Sequence, residues 1–270
     1  MMLMSDSATI EYTDRLVAFV DILGFKNLIN AKDVDVIKII KKLDDNFGEI
    51  EEAYGDDFSL LSVRKFSDCM CVSCELSDEG IRQMLVALAF YQALSSMSFS
   101  TLGGIFFRGA ITIGKHFESS HMIFSKGLVD AYHFEKDRAK YPRILIDDKV
   151  DDRIKTVIDP HLRNILCKLV ARSPDTVRFL DYLQITIDIS LEERENVFRL
   201  HKKSILSQIA ANDDRKILEK YMWLSDYHNE KLQRSFNILK DQDSKAYENL
   251  QKRLLIQKIK DETGCYVVLA

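Results

Sequence analysis

The order of hydrophobic and polar positions divides the first 150 residues into alternating strands and helices. Apolar runs bounded by turn residues predict strands over Leu16–Ile22, Phe58–Phe66, Cys69–Leu76, Ile105–Gly114 and Arg143–Ile146. Apolar residues at helical spacing predict helices over Val34–Ala53, Asp78–Phe99 and Leu128–Lys140. The order β-α-β-β-α-β, with one further helix and strand, is the split βαβ or ferredoxin-like pattern. The sequence therefore predicts an α+β sandwich for this half of the chain.

The second half has a different pattern. After about Asp152 the strand signals almost vanish, and amphipathic helical segments take over, with breaks near Ser173 and Asn212. The last of these helices is predicted over Asp243–Asp261. No linker rich in Pro, Gly or Ser separates the two halves. We therefore expect a first domain of residues 1–152 and a helical extension, residues 153–270, that packs on it.

Composition excludes several classes of protein. The chain has 270 residues, 46% of them hydrophobic, and can bury a full core. Its net charge of -4 comes from interspersed acidic and basic residues, whereas coating a nucleic-acid backbone needs a clustered positive surface, so nucleic acid is not expected as a partner. The chain has no apolar run of about 18 residues, so no membrane span is expected. It has no secretion signal and an odd number of cysteines, 5, which predicts a cytoplasmic protein with reduced thiols.

Two aspartates are the candidates for chemistry. Asp21 lies at the end of the first apolar strand, and Asp68 lies at the tip of the hairpin between the second and third strands. A carboxylate at the end of a buried strand costs free energy unless it is paired or binds a metal. The first strand of a split βαβ sheet is central, so the hairpin tip can lie beside its end. The two carboxylates can then hold two divalent ions, Mg²⁺ or Mn²⁺, with the carbonyl oxygen of Ile22 as a further ligand.

The segment after Asp21 adds a candidate phosphate site. Its glycine lets backbone amides approach a bulky anion such as a triphosphate, and the amides in question belong to Leu23, Gly24 and Phe25. The competing interpretation is that Asp21 caps a helix and Asp68 occupies a turn, since both are common in proteins without any activity.

The cysteines Cys69, Cys71 and Cys74 are close enough in sequence to suggest a zinc knuckle. They lie within a predicted strand, however, where Cys69 and Cys71 share one face and Cys74 points to the other. No second pair of cysteines or histidines follows at zinc-finger spacing. We interpret them as small buried residues of the core.

Three segments that contain these residues resemble the class III nucleotidyl cyclases. Phe19–Phe25 is similar to the first-strand signature of that superfamily. Arg64–Asp68 is similar to the segment that carries its second metal-binding aspartate, with Ser67 where glycine is usual. Arg108–Gly114 resembles its strand in which an arginine and a glycine stand six residues apart.

Further segments resemble one divergent branch of the superfamily. These are Gly127–Tyr132, Tyr141–Ile144 and, in the second half, Lys220–Asn229. The branch is that of the bacterial pyrimidine cyclases, the uridylate and cytidylate cyclases of Pycsar antiphage defence.

The resemblance implies a reaction and an assembly. Two metal ions on Asp21, Asp68 and the Ile22 carbonyl would hold a nucleoside triphosphate, the ribose 3′-oxygen would attack the α-phosphorus in line, and pyrophosphate would leave. Sites of this class are composite and form across a homodimer, so a monomer would be inactive.

The sequence departs from the superfamily at two positions. Purine cyclases carry an Asn and an Arg on the helix after the conserved glycine, where this chain has Ala131 and Glu135. The positive charge must then come from elsewhere. Arg138 is assigned as the catalytic cation, and the other candidates are Lys136, Arg143 and Arg108.

The resemblance also suggests residues that bind the nucleotide. Arg64 stands four residues before Asp68, where purine cyclases often place a base-reading lysine. A guanidinium only donates hydrogen bonds, which suits the O2 or O4 carbonyl of a pyrimidine; the alternative is a solvated arginine at a strand edge. Lys65 is assigned to the nucleotide site as well, and Arg108 is expected in a structural or phosphate-facing role.

The leading hypothesis is a homodimeric pyrimidine nucleotide cyclase that makes cyclic UMP or cyclic CMP as a defence signal. Alternatives are a purine (adenylate or guanylate) cyclase and a non-catalytic nucleotide sensor on the same fold. A polymerase or nuclease palm also uses paired carboxylates on this topology, but the chain lacks a basic surface. The sequence does not distinguish UTP from CTP.

Overall fold

The computed structural model describes residues 11–30, 32–97, 104–260 and 266–268. The strands in these ranges are β1 (Thr13–Ile22), β2 (Ser62–Phe66), β3 (Cys69–Glu75), β4 (Phe107–Glu118), β5 (Ile123–Ser125), β6 (Ile144–Ile146), β7 (Val170–Arg172), β8 (Arg178–Leu180), β9 (Lys258–Lys260) and β10 (Tyr266–Val268). The helices are α1 (Phe25–Ile29), α2 (Asp33–Tyr54), α3 (Asp78–Met97), α4 (Lys126–Arg138), α5 (Asp148–Lys155), α6 (Pro160–Lys168), α7 (Leu191–Ala210), α8 (Arg215–Ser235), α9 (Asn237–Gln242) and α10 (Ser244–Leu254). Two short 3-10 segments cover Asp56–Phe58 and Tyr182–Asp188.

One large sheet organises the fold, with strand order β2-β3-β1-β4-β6-β8-β7 and β5 paired to β4. The part β2-β3-β1-β4, with α2 between β1 and β2 and α3 between β3 and β4, is the predicted βαββαβ arrangement. The α+β fold class is therefore confirmed. β1 is antiparallel to both of its neighbours, and the register places Asp21 opposite Cys69 on β3 and opposite Arg108 on β4.

β1 reads as a continuous apolar run because both of its faces are covered. Helices α2 and α3 lie over the face that carries Val20 and Ile22. Helix α4 lies over the opposite face, where a Cβ added to Gly127 would be 3.0 Å from the side chain of Val17. Residues Leu16 to Val20 are all buried in consequence. The end of β1 thus projects Asp21 from a rigid central strand on the α4 side of the sheet.

Several boundaries differ from the prediction. β2 begins at Ser62 rather than Phe58, because Phe58 ends a 3-10 turn and accepts a hydrogen bond from the amide of Leu61 at 3.1 Å. β4 continues past Gly114 to Glu118, because its last residues pair with β5. The short elements α1 and β5 were not predicted. The predicted helix ends at Phe99 and Asp261 lie outside the described residues.

The second half is mainly helical, as expected, but it also supplies two strands to the large sheet, while β9 and β10 pair separately. β8 pairs with β6 antiparallel, with Leu145 opposite Phe179, and β7 then pairs with β8. The long helices α7 and α8 pack against each other, and α7 also packs on α3. The division into residues 1–152 and 153–270 remains a prediction. Over the described ranges, the helices are all too short or too polar to cross a membrane.

Candidate functional site

The carboxylates of Asp21 and Asp68 meet at the end of β1. Ligand atoms of Asp21, Asp68 and Cys69 all lie within 4.8 Å of one another. The main chain holds this arrangement, since Asp21 pairs with Cys69 across β1 and β3, and the amide of Ile22 donates to the carbonyl oxygen of Asp68 at 3.0 Å. The predicted convergence of the two aspartates is confirmed.

Two residues in left-handed backbone conformations shape the turns beside these carboxylates. Ser67, at the tip of the β2–β3 hairpin, has φ 55°, and Gly24, after β1, has φ 77°. This region favours glycine. Ser67 therefore has a backbone conformation that costs a residue other than glycine free energy.

Arg108 lies between two carboxylates. Its Nε and Nη2 are 3.1 and 3.0 Å from Oδ2 of Asp21, and its Nε is 2.7 Å from Oε1 of Glu135 on α4. Burial raises the pKa of Asp21, the hydrogen bonds and charge of Arg108 oppose that rise, and the charge of Asp68 adds to it. Burial likewise raises the pKa of Glu135, with Arg108 opposing. Two carboxylates therefore flank one guanidinium, and the carboxylate of Asp68 lies beside that of Asp21, so the negative charges outnumber the positive charge of Arg108 and suit a cation.

Cys69 joins this group through its thiol. Its Sγ lies 3.8 Å from Oδ1 of Asp21 and 3.7 Å from Oδ1 of Asp68. Burial and the two carboxylate charges raise the pKa of the thiol to about 12. Cys71 and Cys74 are buried core residues, as predicted, and burial raises the pKa of each to about 12. The interpretation of Cys69 as a core residue was incomplete, because its thiol lies beside both aspartates.

The donors at this site fit hard divalent cations. Mg²⁺ and Mn²⁺ prefer carboxylate and carbonyl oxygens, and the side chains of Asp21 and Asp68 supply carboxylate oxygens. The carbonyl of Ile22 adjoins them in sequence. The protonated thiol of Cys69 is the softest donor near the carboxylates. That these residues bind metal remains a prediction.

Only part of the turn after β1 is free to bind an anion. The amide of Leu23 donates to the carbonyl of Phe106 at 2.9 Å, so the prediction that Leu23 offers its amide to a phosphate is wrong. The amides of Gly24 and Phe25 have no hydrogen-bond acceptor among the described residues. They remain candidates for the triphosphate.

The two basic residues of β2 point to different surroundings. Arg64 donates from Nε to Oε1 of Glu118 at 2.5 Å and from Nη2 to the carbonyl of Ser119 at 3.1 Å, and its side chain is 44% exposed. Lys65 lies 3.9 Å from Asp44 and lines a cavity of about 370 Å³ that adjoins Asp68. Their roles in nucleotide binding remain predictions.

The candidate cations on and after α4 do not gather at the aspartates. Arg138 is exposed on the last turn of α4, and its side chain forms no hydrogen bond or ion pair with the described residues. The ammonium of Lys136 lies 5.9 Å from the ring centroid of Tyr132. The assignment of Arg138 to catalysis therefore remains a prediction, with no contact that supports it.

Arg143 has a structural role, so the suggestion that it could serve as the catalytic cation is wrong. Its side chain is fully buried, and it forms a bidentate pair with Asp175, with Nη1 3.1 Å from Oδ1. The rings of Tyr141, Trp223 and Phe179 surround its guanidinium at 5.2, 5.4 and 5.8 Å. These contacts fix β6 to β8 and α8, away from solvent.

Three residues that interact with candidate site residues were not found from the sequence. Glu118 accepts hydrogen bonds from Ser62 and Ser73 as well as Arg64. Lys220 on α8 interacts electrostatically with Asp21, and Glu135 pairs with Arg108. The sequence draws attention to Glu135 only because purine cyclases carry an arginine at that position of the helix. Lys220 stands within a segment singled out by resemblance, which was the one signal that could have identified it.

Comparison with known proteins gives remote likenesses only. No protein-family model matches the chain, and no curated protein is similar to it in sequence. Among solved structures it is similar to the monomeric guanylyl cyclase domain of the RhoGC fusion protein from the aquatic fungus Blastocladiella emersonii, with 14% identity over 63% of this chain and 95% of that one, and a TM-score of 0.45. It is also similar to the catalytic core of a rhodopsin-guanylyl cyclase with converted specificity in complex with ATPalphaS (16% identity, 54% of this chain, 83% of that one, TM-score 0.42).

A third similar structure is a bacterial light-regulated adenylyl cyclase, with 19% identity over 54% of this chain and a TM-score of 0.39. The chain covers 46% of the length of that protein. At such identities and TM-scores, these likenesses decide neither the activity nor the substrate of this chain.

Proposed function

We propose that this protein is a nucleotide cyclase that converts a pyrimidine nucleoside triphosphate, UTP or CTP, to its 3′,5′-cyclic monophosphate and pyrophosphate. The product would serve as a second messenger in antiviral defence, made in the cytoplasm. The observation that carries the proposal is the convergence of Asp21 and Asp68 at the end of a central strand, with Arg108 beside them. Such a group suits an in-line displacement at phosphorus, where charge must be neutralised at the phosphate oxygens.

Each residue of the site has a part in this reaction. Asp21 and Asp68 would hold two divalent ions, together with the Ile22 carbonyl. Bound ions would supply positive charge to the triphosphate and lower the pKa of the 3′-hydroxyl. Arg108 is oriented by Glu135, so its guanidinium stays next to Asp21 and offers a fixed positive charge to the phosphates.

The proposed pyrimidine preference depends on Arg64. Its guanidinium is held by Glu118 and by the carbonyl of Ser119, yet 44% of its side chain remains exposed. Its remaining N–H groups can donate to a pyrimidine carbonyl. Both UTP and CTP carry the O2 carbonyl, so this contact alone does not choose between them.

A homodimer with composite sites is part of the proposal. Aromatic side chains are exposed on two elements near Asp21: Phe66 on β2 is 49% exposed, and Tyr132 on α4 is 42% exposed. Exposed aromatic residues of this kind are enriched in protein interfaces. They support a second copy of the chain as the partner.

A product assay tests the proposal. Purified protein is incubated with each of the four ribonucleoside triphosphates and Mn²⁺ or Mg²⁺, and the products are separated by chromatography. We expect cyclic UMP or cyclic CMP from the wild type. Asp21→Asn and Asp68→Asn, which remove charge but keep size, should lower turnover by about 10³-fold or more. The matched control Asp137→Asn changes an exposed aspartate of α4 and should retain full activity.

A second candidate function has its own observation. Glu135 puts a buried carboxylate at the helix position where purine cyclases carry arginine, which favours a nucleotide sensor that has lost catalysis. Tight nucleotide binding without any cyclic product would support the sensor and contradict the cyclase. Cyclic AMP or cyclic GMP as the product would instead establish a purine cyclase and contradict the assigned pyrimidine preference.

A further inference from the structure

One lysine of the helical extension lies on the inner face of α8. Residues four and seven positions apart share a helix face, and both Leu224 and Tyr227, which share the face of Lys220, are buried. Lys220 itself is half-buried, in the first half of the helix. Lys220 therefore lies on the buried face of α8.

The residues on either side of Lys220 attach α8 to the segment that follows α4. The carboxylate of Glu219 lies 3.0 Å from the ammonium of Lys140. The ring of Trp223 stacks on that of Tyr141, with centroids 5.4 Å apart and planes at 6°. Because Lys140 and Tyr141 come shortly after α4, these contacts hold α8 near the C-terminal end of the helix that carries Glu135.

A third contact attaches α8 to the start of β4. The ring centroid of Tyr221 is 5.9 Å from that of Phe106, and the hydroxyl of Tyr221 donates to Gln208 on α7 at 3.1 Å. Phe106 stands two residues before Arg108 and accepts the amide hydrogen bond of Leu23. Lys220 is thus flanked by contacts to the start of β4, which carries Arg108, and to the segment that follows α4, the helix that carries Glu135.

The electrostatics agree with this placement. Burial lowers the pKa of Lys220, and the positive charge of Arg108 lowers it further, whereas the negative charges of Asp214, Asp21 and Glu135 oppose these effects. In the described part of the chain, Lys220 forms no hydrogen bond and no ion pair. Lys231, three turns further along the same face, is instead paired with the buried Asp181.

The half-buried ammonium of Lys220 costs free energy because it has no partner among the described residues. An anionic ligand bound beside Asp21 would offset that cost. We propose that Lys220 binds the triphosphate of the substrate, so that the helical extension completes the nucleotide site of its own chain. This inference rests on the proposed function. An ammonium is a compact point charge that suits phosphate oxygens, and it would add to the positive charge that Arg108 supplies.

The test separates phosphate binding from turnover and uses the full-length protein. Binding of inorganic tripolyphosphate in the presence of Mn²⁺ is measured by calorimetry for the wild type, Lys220→Met, Lys220→Arg and Lys216→Met. Lys216 is exposed one turn earlier on the same helix and is the matched control. We expect Lys220→Met to weaken binding by about 10- to 100-fold, the usual effect of a charged hydrogen bond. Lys220→Arg should restore most of the affinity, and Lys216→Met should change it less than about 2-fold.

Thermal unfolding of the same variants distinguishes binding from a structural role. Removing an unpaired, half-buried charge should leave the Tm of Lys220→Met equal to or above that of the wild type. A lower Tm would show that Lys220 serves the fold, and would overturn the inference. Equal tripolyphosphate affinity for Lys220→Met and the wild type, or no binding by the wild type, would overturn it as well.

The product assay keeps this inference distinct from the proposed function. If the wild type makes a cyclic nucleotide and Lys220→Met has an unchanged KM, the cyclase stands and the role of Lys220 fails. If tripolyphosphate binding depends on Lys220 but no cyclic product forms, the phosphate site stands and the cyclase fails. We expect both to hold, with the KM for the nucleotide raised about 10-fold or more in Lys220→Met.

Discussion

Nε of Arg108 on β4 lies 2.7 Å from Oε1 of Glu135 on α4, and only 3% of the Glu135 side chain is exposed. The sequence resemblance implies an arginine at the position of Glu135. The structure instead has the positive charge on the strand and the negative charge on the helix. Arg108 therefore supplies a guanidinium to the site from β4, whereas the resemblance implies one on α4.

The first prediction concerns this pair. Glu135→Arg would place a second guanidinium against that of Arg108 in a buried position, and uncompensated buried charge costs about 3–5 kcal/mol. We expect a free energy of unfolding lower by that amount in urea titrations, with no gain of purine cyclase activity. Glu135→Gln, which keeps the shape and an acceptor, is the control and should cost about 1–3 kcal/mol. Wild-type stability in Glu135→Arg would contradict the pairing.

A second pair of residues forms a hydrogen-bonded chain within the helical extension. Nδ1 of His201 and Nδ1 of His228 are 3.0 Å apart, and Nε2 of His228 lies 2.9 Å from the carbonyl oxygen of Leu254. The carbonyl only accepts, so His228 donates from Nε2 and accepts at Nδ1. His201 then donates from Nδ1 and accepts at Nε2 from the hydroxyl of Tyr182, 2.7 Å away. Every bond is satisfied with both rings neutral.

Protonation of either histidine would break this chain. Burial lowers the pKa of His228 to about 4 and that of His201 well below its usual value. The unfolded chain takes up protons near pH 6.5 while the folded one does not, so stability is complete above that pH and falls as the pH drops below it. We expect a loss of up to about 1.4 kcal/mol per pH unit for each histidine. Urea titrations between pH 7.5 and 5 measure it.

Nuclear magnetic resonance supplies the control for the histidine prediction. The imidazole signals of His201 and His228 should stay unchanged between pH 7.5 and 5, because burial keeps both rings neutral there. Titration of either buried ring in that interval, in the folded protein, would contradict the neutral chain.

The third prediction concerns the buried ion pair of Lys231 and Asp181. Both side chains are almost fully buried, and the hydroxyl of Tyr227 also donates to Asp181 at 2.7 Å. Lys231→Met would leave the carboxylate without a counter-charge and should cost about 3–5 kcal/mol in urea unfolding. The double variant Lys231→Met, Asp181→Leu should be more stable than the single variant, because no buried charge remains.

The same helix offers a matched control for the ion pair. Arg234 and Glu230 form an exposed pair one turn apart, at 2.8 Å. Arg234→Met should cost only about 0.3–0.5 kcal/mol. If both single variants lost the same stability, burial would not be the cause.

The fourth prediction tests the close contact of β4 with β1. A Cβ added to Gly109 would lie 2.3 Å from the carbonyl oxygen of Phe19, so Gly109→Ala must displace the backbone that carries Asp21 and Arg108. We expect a loss of about 1–3 kcal/mol in stability, together with weaker Mn²⁺ binding in calorimetry. Gly48→Ala in α2, where a Cβ would meet nothing within 4 Å, is the control and should gain about 0.5–1 kcal/mol. Unchanged metal binding in a destabilised Gly109→Ala would contradict the link.

Much of the sheet could be predicted because its strands are strongly patterned. β1 is a continuous apolar run, and that run alone identifies it as a central strand. The hairpin that turns at Asp68 leads into β3, and β3 is a neighbour of β1 in the sheet. The turn therefore lies beside the end of β1 that carries Asp21. The meeting of the two carboxylates therefore follows from local sequence and topology.

The remaining features depend on contacts that local sequence does not encode. β7 and β8 have three residues each, too few to show a period of two, and they form strands because β6 offers an edge. Arg143 has the sequence features of a free cation, but Trp223, 80 positions later in the numbering, encloses it with two other rings. Lys220 interacts electrostatically with Asp21 and Glu135 only because α8 contacts the segment that follows α4.

The pairing of β8 with β6 has a practical consequence for any shortened form of this protein. β6 is buried along its whole length, and β8 bonds to the side that faces away from β4. A chain that ends after Asp152 would lack β8, so the N–H and C=O groups on that edge of β6 would be exposed to solvent. An exposed sheet edge can pair with other molecules and cause aggregation. Samples intended for crystallisation or enzymology should therefore retain at least the hairpin of β7 and β8.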